Sequence, residues 1–90
     1  MLKVRATNKF KKDLKLISKR GHDVNILMAV VKKLANQEVL PASNRDHELT
    51  GNYVGFRECH IASDWLLVYK INKSELVLIL SRTGSHSDLF

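Results

Sequence analysis

A single cysteine, Cys59, has no partner for an internal disulfide, so folding does not depend on an oxidising compartment. Its expected place is that of a small apolar residue buried in a strand. No apolar run approaches the ~18 residues that span a bilayer, and Met1-Leu2-Lys3-Val4-Arg5 alternates instead of forming a signal-peptide core. Cytoplasmic residence without membrane contact is the expectation. Internal repeats, low-complexity segments and Pro- or Gly-rich linkers are absent too, which makes residues 1–90 one domain. Several chemistries lose their signatures. There is no G-x-S-x-G turn for a serine hydrolase, no glycine loop to cradle a phosphate, and no H-E-x-x-H spacing or cysteine pair for zinc. No cofactor is implied.

Acidic residues are scarce in the first third. Residues 1–33 hold ten Lys/Arg against two Asp/Glu, and residues 34–90 hold five against seven, within a net charge of +6. A basic half of this kind suits a polyanionic partner, either nucleic acid or an acidic protein segment. A lysine face kept for solubility is the plainer alternative. The apolar fraction of 44% and charged fraction of 27% are those of a soluble globular chain with one core.

Periodicity supplies the elements. Leu2, Val4 and Ala6 alternate with Lys3 and Arg5 as a short, half-exposed strand. Thr7 or Asn8 can cap a helix whose core stripe is Phe10, Leu14 and Ile17, with Lys19-Arg20-Gly21 at its end. Asp23 can cap a second helix carrying Leu27, Val30, Val31 and Leu34. The short break at Gly21-His22 predicts an antiparallel helix pair, with His22 solvated there. Residues 36–52 lose periodicity and form one long loop of the length that is often functional. Strands follow over 53–61, 65–71 and 75–81, the last two joined by a tight turn at 72–74. The order β-α-α-β-β-β predicts an α+β fold, with two antiparallel helices on a mostly antiparallel four-stranded sheet.

Three of the four histidines lie beside an aspartate: His47 after Asp46, His60 before Asp64, and His86 before Asp88. Each alone is more commonly a surface residue. The hairpin at 61–64, however, places His60 and Asp64 at one sheet end, and the antiparallel third strand brings Arg82 and His86 back beside Asp64 and Trp65. Imidazoles move protons near neutral pH, and arginine holds phosphate with a planar fork of donors. Trp65 and Phe90 can stack on a base, although a tryptophan opening a central strand is more often core. Tyr69 reads as core. Metal-free cleavage of RNA fits this set. The 2′-hydroxyl is an internal nucleophile, so the site need only remove its proton, protonate the 5′-leaving oxygen and stabilise the charged phosphorane. A metal-dependent hydrolase is the rival reading.

The blocks Asp46-His47-Glu48-Leu49-Thr50-Gly51, Gly55-Phe56-Arg57-Glu58-Cys59-His60-Ile61, Asp64-Trp65-Leu66-Leu67-Val68-Tyr69-Lys70, Arg82-Thr83-Gly84-Ser85-His86 and Leu89-Phe90 resemble the YafQ-type branch of the RelE/ParE toxins. They follow the pattern D-H-x-L-x-G … R-x-x-H-[IV]-x-x-D-W-[IL]-L-[IV]-Y … R-T-G-[ST]-H-x-x-L-F and cover about half the chain, with residues 1–45 matching in layout only. The resemblance implies a RelE-like fold and a bacterial type II toxin, a ribosome-dependent endoribonuclease that cuts translated messenger RNA and is neutralised by a cognate antitoxin. Position by position, it implies that His47, His60, Asp64 and His86 serve acid-base chemistry and that Arg82 stabilises phosphate. Trp65 and Phe90 fall on the aromatic and terminal positions associated with activity. Either His60 or Asp64 is then expected near the 2′-hydroxyl, with His86 near the leaving oxygen and His47 assisting. Lys9, Lys12 and Lys15, with Lys11, Lys19 and Arg20, are expected to meet ribosomal RNA phosphates or an acidic antitoxin tail. DNA would be met only through an antitoxin complex. The alternative is a non-catalytic ParE-like toxin or antitoxin-binding module of the same fold.

Overall fold

The structure is a computed structural model describing residues 1–90. Strand β1 (Lys3–Ala6) leads into helices α1 (Asn8–Lys19) and α2 (Val24–Ala35), and a long connection holds the two-residue strand β2 (His47–Glu48). Strands β3 (Arg57–Ala62), β4 (Trp65–Asn72) and β5 (Val77–Gly84) follow, and a single helical turn, α3 (His86–Leu89), ends the order.

The helices form where their signals are local. The Thr7 side chain accepts the Phe10 N–H and that of Asp23 accepts the Asn25 N–H, satisfying donors that helix starts leave open. Gly21 takes φ +89° after α1, a conformation that glycine adopts without strain. α1 lies against β5 and α2 against β3. Phe10, Ile17, Leu27, Val31 and Leu34 are thereby buried on Cys59, Trp65, Leu67, Tyr69, Leu78 and Leu80.

The sheet has five strands, one more than expected, in the order β1-β5-β4-β3-β2. β1 pairs parallel with β5 and every other pairing is antiparallel. The added strand, β2, is too short to show a period, so nothing in its two residues marked it. Asp46 staples it in place: its Oδ1 accepts Tyr69 O–H at 2.5 Å and Arg57 Nε–H at 3.3 Å. The strand expected from Tyr53 begins at Arg57, because Gly51–Tyr53 forms a 3-10 turn. The strand expected over 75–81 is displaced to Val77–Gly84. Asn72 Oδ1 accepts the N–H groups of Ser74 and Glu75, which extends the turn. Beyond Ser81 the chain still has β4 to pair with, Gly84 lying opposite Leu66.

A second, smaller apolar cluster covers the sheet face turned away from α1 and α2. It holds Leu66, Val68 and Leu89, with Leu49, Tyr53 and Phe56 against them. α3, unexpected from the sequence, is pinned to this face by Leu89. Its start is a capping box: Ser85 accepts Asp88 N–H while the Asp88 side chain accepts Ser85 N–H.

Candidate active site

Register decides which side chains share a face, because residues directly opposite each other in an antiparallel pair project to the same side. Glu58 and Arg82 both lie opposite Val68, and His60 lies opposite Leu66. His47 lies opposite Glu58. Leu66 and Val68 belong to the smaller cluster, so all four polar residues stand on the face away from the long helices. A bulge matters here. The β4–β5 register steps from Val68↔Arg82 to Tyr69↔Leu80, leaving Ser81 unpaired. Without that extra residue Ser81 would face the site and Arg82 the helices.

α3 carries His86 over the same face. The rings of His60 and His86 have centroids 5.9 Å apart and are tilted by 60°. The expected convergence of His60, Asp64 and His86 at one sheet end is therefore present. His86 Nδ1 is 2.9 Å from Asp64 Oδ1, and the backbone N–H of His86 donates to the same oxygen at 3.1 Å. An ionised carboxylate only accepts, so Nδ1 bears the hydrogen and Nε2 is left free. The His86 side-chain bond, then its backbone bond, holds the Asp64 carboxyl below the usual carboxylate range. A carboxylate so committed is a weak base, which makes Asp64 a group that orients His86.

His47 reaches the cluster from β2. Its Nδ1 donates to the carbonyl of Arg45 at 2.6 Å, again fixing which nitrogen bears hydrogen. Arg45 adopts φ +47°, a strained conformation for a side-chain-bearing residue and of the kind found near functional sites. His47 Nε2 lies 3.6 Å from Glu58 Oε1, and His60 Nε2 lies 3.9 Å from the same atom. Glu58 is buried, 5% exposed, so two imidazoles share one shielded carboxylate. Sequence reasoning missed Glu58. Its signal was a place two residues before His60, on the same strand face.

Arg82 is half-buried and held by Asp13 of α1. Nε donates to Oδ2 at 2.7 Å and Nη2 to Oδ1 at 3.1 Å, while Thr83 N–H donates to Oδ2 at 3.2 Å. This bidentate grip leaves Nη1 without a protein acceptor, and the bond from Asp13 raises the arginine's affinity for its proton still further. Asp13 was also missed, although it is the sole acidic residue among the first 22.

Not every expected residue belongs to the site. Trp65 is 2% exposed, lies on the helix face of β4 and donates Nε1–H to Thr83 Oγ1 at 2.9 Å, so it cannot stack on a base. Its exposed neighbour is His22, whose ring lies 4.7 Å from the indole at 40°, so the histidine expected to be merely solvated packs on the tryptophan. Phe90, in contrast, is 57% exposed and rests edge-on against Tyr53, centroids 5.2 Å apart. Lys9, Lys12 and Lys15 are exposed on α1 and form no ion pair. Arg20 is not free in the same way: its guanidinium is joined to Asp88 at 2.7 Å and 3.2 Å.

Glu58, His60 and His86 present one ligand atom each, all within 4.8 Å of one another. That mixed imidazole and carboxylate set suits a transition metal. The same atoms can also transfer protons. Donor chemistry alone therefore allows an ion or an acid-base role at this place.

The chain is similar to known bacterial proteins along nearly its whole length. It is 39% identical over 85 residues to the mRNA interferase toxin YafQ of Escherichia coli, covering 93% of this chain and 90% of that one. A metal-bound toxin from Helicobacter pylori superposes with a TM-score of 0.94 at 48% identity, with all of both chains covered. YafQ in the E. coli DinJ-YafQ complex gives 0.89 at 36% identity, over 100% of this chain and 99% of that one. The family model for YafQ, bacterial toxin of type II toxin-antitoxin systems, matches residues 2–90. Sequence, fold and family model agree from one end of the described chain to the other, and the protein belongs to the YafQ toxin family.

Proposed function

We propose that this toxin is an mRNA interferase: a cytoplasmic endoribonuclease that cuts messenger RNA during translation, using the RNA 2′-hydroxyl as nucleophile and no metal. The observation that carries the reading is the 5.9 Å approach of His60 and His86 on the sheet face that also holds Arg82. Two imidazoles at that separation can flank one phosphodiester.

The chemistry follows from the atoms. A base on the His60 side takes the 2′-hydroxyl proton, and the oxygen attacks phosphorus. The bond to the 5′-oxygen breaks as that oxygen receives the Nε2 proton of doubly protonated His86, whose Nδ1–H stays on Asp64. The products are a 2′,3′-cyclic phosphate and a 5′-hydroxyl. Glu58 steadies His47 and His60 and offsets the charge of whichever carries the extra proton. Arg82, oriented by Asp13, offers Nη1 to the phosphorane, where preorganised donors typically contribute ~10²–10³ in rate. Exposed Phe90 can stack on a flanking base at ~1–3 kcal/mol. Trp65 is left out of the binding set because it is buried.

Lys9, Lys12 and Lys15 suit ribosomal RNA phosphates, giving salt-sensitive binding without sequence choice. An acidic antitoxin segment suits the same charge, and E. coli YafQ is solved with DinJ. Contact with DNA would come through such a complex. The test is cleavage of a translated message in a purified translation system containing a transition-metal chelator that leaves the ribosome its Mg2+. His86→Ala and Arg82→Ala should each lose at least ~10²-fold. Full activity in both variants, or activity lost to the chelator alone, would overturn the mechanism. An intact message in the wild-type reaction favours the non-catalytic, antitoxin-binding reading.

A further inference from the structure

We propose that Arg20 is a positioning residue: by gripping Asp88 it latches α3 to the end of α1 and so holds His86 in place over the sheet. The inference deepens the ribonuclease reading and rests on it for the role of His86.

α3 is a single turn of four residues. A helix that short has no stability of its own, since nucleation fixes several residues for one hydrogen bond. Its position therefore depends on what ties it down. Leu89 is buried in the smaller cluster, and Asp64 accepts the His86 backbone N–H. The third tie is Asp88, which works in two directions. Its Oδ2 accepts Ser85 N–H at 2.9 Å, closing the capping box, and also takes Arg20 Nη1 at 2.7 Å, while Oδ1 takes Nη2 at 3.2 Å. Two parallel N–H···O bonds between planar groups fix direction as well as distance. The bonds from Arg20 and Ser85 hold the Asp88 carboxyl well below the usual carboxylate range, so it remains charged for this task.

The approach of Asp88 is close enough to constrain the backbone beneath it. Gly84 has φ +155°, and a Cβ there would lie 2.9 Å from Asp88 Oδ2. The last residue of β5 thus leaves room for the latch. Arg20 comes from the far end of α1, where His22 lies on Trp65 and keeps the α1–α2 turn seated on the sheet. The latch joins two parts of the chain 68 residues apart. With it open, Leu89 still anchors the C-terminal end of α3, but the turn carrying His86 can pivot about that point. Displacement of a reacting group by about 1 Å can cost ~10²-fold in rate. With Leu89 and Asp64 still in place, the expected loss is about tenfold.

The experiment compares Arg20→Ala, Asp88→Asn, Arg20→Lys and the Arg20→Ala/Asp88→Asn double variant by amide exchange and by kcat and KM on translating ribosomes. Asp88→Asn keeps an acceptor for Ser85 and removes only the ion pair. Each single variant should lower protection of the amides of 86–90 selectively, with the thermal midpoint nearly constant. Each should lower kcat about tenfold at unchanged KM, the double variant should fall no further than either single one, and Arg20→Lys should recover part of the rate. A simple RNA-contact role for Arg20 makes a different forecast: KM rises in Arg20→Ala, while Asp88→Asn, having lost a negative charge, binds RNA as well or better. That pattern, or unchanged protection of 86–90, would overturn the latch. The exchange measurement needs no activity, so it stands apart from the site assignment, which His86→Ala tests by itself.

Discussion

Asp13→Ala should separate the scaffold of this site from its chemistry. Asp13 touches no substrate in the proposed reaction, yet it accepts from Arg82 Nε, Arg82 Nη2 and Thr83 N. The Asp13 and Arg82 side chains are 14% and 23% exposed, between a surface pair worth ~0–1 kcal/mol and a buried one whose broken half costs ~3–5 kcal/mol. The substitution also strands the N–H of Thr83, a residue 1% exposed, at ~1 kcal/mol or more. A loss of about 2–3 kcal/mol follows, which in a domain of this size lowers the thermal midpoint by ~10–20 °C. Activity should fall for a separate reason. Arg82 keeps its charge but loses the carboxylate that aims it, so kcat should drop ~10²-fold, approaching Arg82→Ala. Asp13→Asn keeps acceptor geometry for one donor and should lie between wild type and Asp13→Ala on both scales. The assays are thermal unfolding and single-turnover cleavage on programmed ribosomes at a temperature where every variant is folded. Wild-type kcat in Asp13→Ala, alongside an inactive Arg82→Ala, would refute the idea that Asp13 aims the guanidinium.

Glu58→Gln preserves volume and removes the charge facing His47 and His60, so kcat should fall about 10–100-fold with the thermal midpoint little changed, less than the ~10²–10⁴ typical of losing an acid-base group outright. Equal loss in Glu58→Gln and His60→Ala would show that the carboxylate reacts directly. Burial, aided by the charges of Asp46 and Glu58, pushes the Cys59 thiol up to about 12. On the order of 10⁻⁴ of it is then thiolate at pH 8, and alkylation in the native state should be negligible until denaturant is added. Rapid native labelling would contradict that placement. Asp64 and Asp88 both have folded-state carboxyl affinities for protons below their unfolded ones, through His86 and Arg20 respectively. Their contribution is complete above the ordinary carboxyl range near ~3.9 and is lost as pH falls through the lower folded values. Amide protection in α3 should therefore hold from about pH 8 to 5 and decay only in stronger acid; decay on the alkaline side of that window would reverse the sign of the argument.

What the sequence disclosed depended on how local the cause was. α1 and α2 could be read with their caps because Thr7, Asp23 and Gly21 act within one turn of themselves. The gathering of His60, Asp64 and His86 could be read because hairpin connectivity alone returns β5 to the start of β4. β2 could not, since two residues carry no period and their strand exists through Asp46 bonding to Tyr69 and Arg57, 23 and 11 residues away. Trp65 was misplaced because β4 is apolar on both faces, and a continuous run hides which residues face the helices. α3 is the instructive miss. Ser85-His86-Ser87-Asp88 carries the spacing of a capping box, but too few residues follow for a helical stripe to declare itself.

α1 shows most clearly how structure changes the meaning of a composition. Its five lysines mark it as a polyanion-facing helix, and Lys9, Lys12 and Lys15 are indeed free in solvent. Yet Asp13 and Arg20, seven residues apart and so about two turns along one side, both turn towards the last nine residues of the sequence. One grips Arg82 and the other Asp88, charges opposite to their own. A helix positioned by RNA contacts through its lysines would thus carry the phosphate-binding and proton-donating ends of the site with it, through two ion pairs that bracket Gly84. The two pairs should therefore couple: in the Asp13→Ala background, adding Arg20→Ala should cost less activity than it does alone, because part of α1's hold on the segment is already gone. Strict additivity of the two losses would show that Arg82 and His86 are positioned independently, and that α1 supports two separate contacts instead of one braced unit.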